Sequence, residues 1–157
     1  MTNGSLITEE LRKLIGKDLG TVVFKVEEGA IQRYAQAIGD PNPLYNDPEF
    51  ASKTKYGRLM APPGFTGWPV KAARLSDRLL ESLLEAGAPS RLLDGGVEFE
   101  FIEPIGAGDV LTATTKIANI TERDTRLGKT MFTTLETTFV NQKGNVALKS
   151  RSTFILF

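Results

Sequence analysis

The chain has 157 residues, a single domain's worth, and its 41% apolar and 24% charged residues are ordinary for a globular protein with a sizeable core. Lys plus Arg and Asp plus Glu each number 19, so the formal net charge is zero and the basic footprint of an electrostatic nucleic-acid binder is missing. Neither cysteine nor histidine occurs, which excludes disulfides, thiol nucleophiles, Ser-His and Cys-His mechanisms, and the commonest metal ligands.

Thr8 to Leu14 reads as a short helix with Thr8 as N-cap and Gly16 as its stop. Thr21 to Val26 is a β-branched run and reads as a strand. Glu28 to Ile38 carries Ile31, Tyr34, Ala35 and Ile38 at helical spacing, and Gly39 ends it. Asp40-Pro41-Asn42-Pro43 is a dense turn signal. A short helix is expected from Pro48 to Thr54, capped by Asp47.

After the break at Ala61-Pro62-Pro63-Gly64 comes the longest helical pattern. Trp68, Ala72, Leu75, Leu79 and Leu83 share one face, and Lys71, Arg74, Arg78, Glu81 and Glu85 the other. Pro69 fits only a first turn, which sets the start near Thr66, and Gly87 and Pro89 end the helix. The period then changes to two. Val97, Phe99 and Phe101 alternate with Glu98 and Glu100. Val110 to Ile120, Thr130 to Val140 and Val146 to Phe157 follow as strands, with turns at Gly106 to Asp109 and at Gln142 to Asn145. This order predicts an α+β domain over residues 1–157, in which one long helix packs on an antiparallel sheet ending in a four-strand meander. No apolar run approaches the roughly 20 residues of a membrane span. Residues 1–5 lack the features of a signal peptide, so the expected location is cytoplasmic, with no membrane partner.

Three segments carry a family resemblance. Tyr34 to Ala51 reads YAQAIGDPNPLYNDPEFA, with Asp40, Asn42 and Pro43 at the positions of an Asp-x-Asn-Pro-x-His signature. Leu59 to Gly64 reads LMAPPG, and Phe99 to Thr112 reads FEFIEPIGAGDVLT. Through these, the chain from Thr21 to Phe157 resembles the MaoC-like dehydratase family, the hydratase-2 branch of the hot-dog fold. The resemblance implies a long central helix wrapped by an antiparallel sheet. It also implies addition of water to a 2-enoyl thioester, or its removal from a 3-hydroxyacyl thioester, on coenzyme A or acyl carrier protein, with no further cofactor and no metal.

That reaction needs a group that orients or deprotonates water, a proton for the α-carbon, and donors for the thioester oxygen. The resemblance assigns Asp40 to the first task and the backbone at Gly64 to the last. It places Asn42, Pro43, Pro63 and Phe65 beside them as substrate-binding candidates. The family's catalytic histidine falls at Tyr45, a phenol and a poor base at neutral pH. The resemblance therefore implies a subunit lacking a complete catalytic dyad and paired with a His-containing MaoC-like chain. A self-dimer using Asp40 with Tyr45, an acyl-CoA binding protein without chemistry, and a thioesterase are the alternatives. Each residue also has a plainer reading: Asp40 as an Asx turn, Asn42 as a turn former, Tyr45 as packing under the loop. Arg58, Lys71 and Arg91 are candidates for the coenzyme A phosphates, or simply surface charges.

Overall fold

In a computed structural model describing residues 4–66 and 73–157, Thr8 caps helix α1 (Glu9–Lys13) by accepting the Leu11 N–H. Strand β1 (Asp18–Lys25) follows, three residues longer at its start than expected. Helix α2 (Glu28–Ala37) buries Ala30, Ile31 and Ala35. Ile38 does not share that face. The helix stops one residue earlier, Ile38 is its C-cap, and the side chain is 51% exposed. The stop is a Schellman turn: Gly39 has φ +69°, its N–H bonds Gln36 O at 3.1 Å, and the Asp40 N–H bonds Ala35 O at 2.9 Å.

The turn-rich segment holds more helix than expected. Asn42 caps a one-turn helix α3 (Pro43–Asn46) with Pro43 at its first position, where proline's missing N–H costs nothing. Helix α4 (Pro48–Ser52) is capped by Asp47, as expected, and ends short of Thr54. Helix α5 (Ala73–Glu85) buries Leu79 and Leu83 and leaves Arg78, Glu81 and Glu85 outside. The expected start of that helix, with Trp68, Pro69, Lys71 and Ala72, lies outside the described residues, as do the side chains of Arg74 and Leu75.

Strands β2 (Leu92–Phe101), β3 (Val110–Thr125), β4 (Gly128–Val140) and β5 (Val146–Leu156) join β1 in one antiparallel sheet of order β1-β3-β4-β5-β2. Only β3, β4 and β5 form a meander. β2 pairs with β5 at the far edge, which corrects the expected four-strand meander. Strand β3 also runs past Ile120 to Thr125, through an irregularity between Ile117 and Asn119. The inner face of β4 is as expected for Met131, Thr133, Leu135 and Phe139, which are buried; Thr137 is half-buried and shares a 2.8 Å hydrogen bond with Thr115.

Two clusters of buried side chains form the core. Leu79 and Leu83 of α5 pack with Leu11, Leu19, Ile117, Met131 and Leu156. Val26, Ile31, Ala51, Leu59, Phe65, Ile105 and Leu148 pack at the other end, under α2 and the following loops. This is the α+β hot-dog arrangement, and it hangs the 40–66 segment over one end of the sheet.

Candidate functional site

The segment following α2 is fixed by its own polar side chains. Asp40 Oδ1 accepts the Asn42 N–H at 3.0 Å, and Asn42 Oδ1 accepts the Leu44 N–H at 3.0 Å. Asn46 Nδ2 donates to the carbonyls of Asp40 and Asn42 at 2.9 and 3.0 Å, and Gln32 Nε2 donates to Asn46 O at 3.1 Å. Asp40 and Asn42 thus have the Asx-turn and capping roles that their plainer readings require. Pro43 is exposed at the start of α3.

The fixed loop forms one wall of a cleft of about 330 Å³. Leu44, Tyr45 and Tyr56 stand on the loop side, Met60, Ala61 and Pro63 beneath, and Phe101 to Ile105 opposite. The Met60 N–H bonds Leu44 O at 3.0 Å and the Ala61 N–H bonds Ile105 O at 2.8 Å, so the cleft's base is tied to both walls. Of the expected site residues, the structure brings Tyr45 and Pro63 to the cleft lining. Asp40, Asn42 and Pro43 belong to the loop that carries Tyr45 and are not among the lining residues.

Tyr45 is half-buried. Burial first, then the Asp40 charge and the neighbouring Tyr56 phenol, push its hydroxyl above the ordinary tyrosine range. The phenol therefore stays protonated at neutral pH, a hydrogen-bond donor and not a base. Gly64 sits at φ +91° in the turn Pro62 to Phe65, closed by Phe65 N–H to Pro62 O at 3.0 Å. Proline followed by glycine at positive φ is the type II turn pattern. A Cβ at Gly64 would meet Tyr34 Oη at 2.7 Å, so glycine is required twice over. Phe65 is fully buried in the core beneath, its ring 5.2 Å from that of Tyr34. The beginning of the helix expected after Gly64 lies outside the described residues.

Two polar lining residues were not among the expected site residues. Tyr56 faces the cleft from the α4 side, and Glu103 faces it from the end of β2. Glu103 receives hydrogen bonds from Asn141 and Asn145 of the β4–β5 turn at 2.8 and 2.9 Å. Only the FEFIEPIGAGD segment pointed toward Glu103, and no local pattern marks Tyr56.

Of the expected phosphate-binding cations, Arg58 is already engaged. Its guanidinium makes a two-pronged pair with Asp109, 2.8 Å on each side, and reaches Ala107 O at 3.0 Å. Asp109 also accepts the Gly106 N–H and Gln142 Nε2, both at 2.9 Å. Burial alone would raise the Asp109 carboxyl; the hydrogen bonds from Arg58, Gln142 and Gly106, with the Arg58 charge, outweigh it and hold the group below the ordinary carboxylate range. Arg91 lies over the Phe157 ring at 4.8 Å, and Lys71 is outside the described residues. Among the described residues, no three His, Cys, Asp or Glu side chains gather as a metal site, and no helix is long and apolar enough to cross a membrane.

Known proteins resemble the chain in both sequence and fold. The family described as "FAS1-like, dehydratase domain region" matches residues 13–150. A protein of Streptomyces avermitilis called "UPF0336 protein" is 36% identical over 98 residues, 62% of this chain and 63% of that one. The "Probable enoyl-CoA hydratase alpha subunit" of Thermomonospora curvata is 28% identical over 99% of this chain but only 53% of its own length. The chain thus spans between half and two thirds of these relatives. Among solved structures, a MaoC-like dehydratase from Rhodospirillum rubrum superposes with a TM-score of 0.61 at 27% identity, over 94% of this chain and 95% of that one. The HadBC (3R-hydroxyacyl-ACP dehydratase) complex of Mycobacterium tuberculosis shares the fold, with a TM-score of 0.69 at 20% identity over 90% and 96% of the two chains. The chain belongs to the FAS1-like dehydratase-region family, among the MaoC-like hot-dog hydratases and dehydratases.

Proposed function

We propose that this chain is the His-less subunit of a hydratase or dehydratase acting on an enoyl or 3-hydroxyacyl thioester, and that it works beside a His-bearing hot-dog subunit. The observation that carries this reading is Tyr45. It stands in the cleft, at the position where the sequence resemblance puts the family's histidine, with its hydroxyl held protonated, in a chain without histidine. Hydration joins water oxygen to the β-carbon, moves the double-bond electron pair toward the α-carbon, and delivers a proton there. A base must take one proton from water. Tyr45 supplies a donor, and one Asp40 oxygen already accepts a backbone N–H. Losing a positioned acid–base group costs about 10²–10⁴-fold in rate, so efficient turnover calls for a base from another chain. The cleft's far wall is the end of β2, an edge strand, where another chain would close it. The Thermomonospora curvata protein, called an alpha subunit, and the HadBC complex give the reading its precedent. In this reading the whole sequence is one hot-dog unit that binds an acyl thioester in the cytoplasm.

A second reading is a self-sufficient homo-oligomer, favoured by the reach of the Asp40 charge to the Tyr45 phenol. One experiment separates the two. The purified chain is given an enoyl thioester, and loss of the conjugated chromophore is followed. The proposal expects saturable binding and no turnover at ordinary enzymatic rates. Efficient turnover that Asp40→Asn abolishes, with the fold intact, establishes the second reading. Binding that stays silent even with a His-bearing partner leaves an acyl-thioester binding protein.

A further inference from the structure

Among the described residues, Glu103 is the one carboxylate lining the cleft, in a wall that is otherwise apolar. It is half-buried and fixed from two sides. Its own N–H and that of Ile102 share Ala147 O, at 3.1 and 2.9 Å. Its two carboxylate oxygens each accept one amide, Asn141 Nδ2 at 2.8 Å and Asn145 Nδ2 at 2.9 Å. Asn141 is itself locked, because its Oδ1 accepts the Lys143 and Asn145 N–H groups at 3.0 and 3.1 Å and leaves only Nδ2 for Glu103. A carboxylate offers about four acceptor positions, so these two amides leave capacity over. Among the described residues no lysine or arginine forms an ion pair with Glu103. On the facing wall Tyr45 and Tyr56 bring two phenols. The cleft thus sets hydrogen-bond donors on one side and a fixed acceptor on the other.

We infer that Glu103 accepts a hydrogen bond from the hydroxyl of a 3-hydroxyacyl thioester, so that the cleft holds this form in preference to the enoyl form. This rests on the proposed acyl-thioester reading and names which of its two ligands the cleft suits. The two forms differ by one water. The hydroxyacyl form carries an O–H on its β-carbon, and the enoyl form carries only C–H there. Either ligand displaces water from Glu103 as it enters. The hydroxyl restores the lost hydrogen bond, whereas a C–H leaves the carboxylate short of a partner where water has been removed. A site that hydrogen-bonds a ligand hydroxyl rejects the analogue lacking it for this reason. The thioester carbonyl, an acceptor, is served by the phenols of the facing wall. At about 330 Å³ the cleft is at the small end for a ligand site, which suits the reacting end of an acyl thioester.

The test is calorimetric titration of the native chain with the 3-hydroxybutyryl, 2-butenoyl and butyryl thioesters of coenzyme A, repeated with Glu103→Gln. The native chain is expected to bind the hydroxy ligand roughly ten- to hundredfold more tightly than either of the others, the range for a hydrogen bond to a charged group. Glu103→Gln should lose most of that preference, chiefly by weakening the hydroxy ligand. The series on the native chain stands without any variant, should Glu103→Gln loosen the β4–β5 turn and fail to fold. Equal affinities for the three ligands overturn the inference. So does a Glu103→Gln chain that binds all three more weakly in the same proportion, which would assign Glu103 to the amide groups of the carrier arm, common to all three. Failure to bind any of them overturns both this inference and the reading beneath it. Interconversion of the hydroxy and enoyl ligands, visible at the conjugated chromophore, counts against the missing-base reading alone, and the preference is then read from the KM values of the two directions.

Discussion

Gly64 shows how one position can be fixed by its surroundings before any chemistry is considered. Its φ of +91° is a conformation side chains rarely adopt, and a Cβ would sit 2.7 Å from Tyr34 Oη. Tyr34 is itself packed against Phe65, so its ring has little room to retreat. Gly39 is the natural control: φ is +69°, and nothing lies within 4 Å of a built Cβ. Gly64→Ala should therefore cost more than Gly39→Ala, about 2–3 kcal/mol against about 1 kcal/mol, read as midpoint shifts in urea at unchanged slope. Equal costs would mean that the Tyr34 contact is soft. The Pro63-Gly64 pair was legible as a turn because the two residue types dictate it. That Tyr34 closes over the turn was not, since 30 residues of chain separate them and only packing brings them together. Ile38 erred for a local reason: helical spacing placed it on the buried face, but the Schellman stop at Gly39 turns the chain away first.

At the scale of elements, the clasp around Asp109 does what no single helix or strand does. Arg58 comes from the loop after α4, Gly106 and Asp109 from the turn before β3, and Gln142 from the β4–β5 turn. Gln142 also accepts the Val110 N–H at 3.0 Å. The clasp therefore ties the loop under the cleft to two sheet turns. Because the folded carboxyl is held below its ordinary value, its contribution to stability is complete above the ordinary carboxylate range and fades as pH falls through the folded value. Asp109→Asn should destabilise the protein at neutral pH by roughly 1.5–3 kcal/mol, the range for hydrogen bonds to charged groups. The difference from the native chain should shrink as the solution is acidified. A constant difference down to acid would show that the carboxylate's charge does not matter there. The sequence marked Gly-Asp as a turn and Arg58 as a free cation. The pairing was illegible because it spans 51 residues and depends on the fold being complete. Strand order was hidden for the same reason. Period-two alternation reports that a strand has two faces, and nothing in it says that β2 lies outside β5 instead of beside β3.

For the whole molecule, the contrast between the two edges of the sheet is the informative feature. β1 buries Leu19 and Val22, and α5 packs near it. In β2, Val97, Phe99 and Phe101 alternate with Glu98 and Glu100, yet every one of its ten residues is exposed. Such an alternation is the pattern of a strand with one face to cover, and among the described residues nothing covers that face of β2. Among the described residues the outward N–H groups of β2 meet no partner, which leaves them to water. Amide exchange of dilute protein should separate three classes: fast at the outward amides of β2, slower at those bonded to β5, and slowest in the centre of β4, which has neighbours on both sides. Binding of a second chain along β2 should slow the first class and leave the centre of β4 largely as it was. Outward β2 amides already protected at the lowest concentration would mean that the edge is occupied by a tightly held copy.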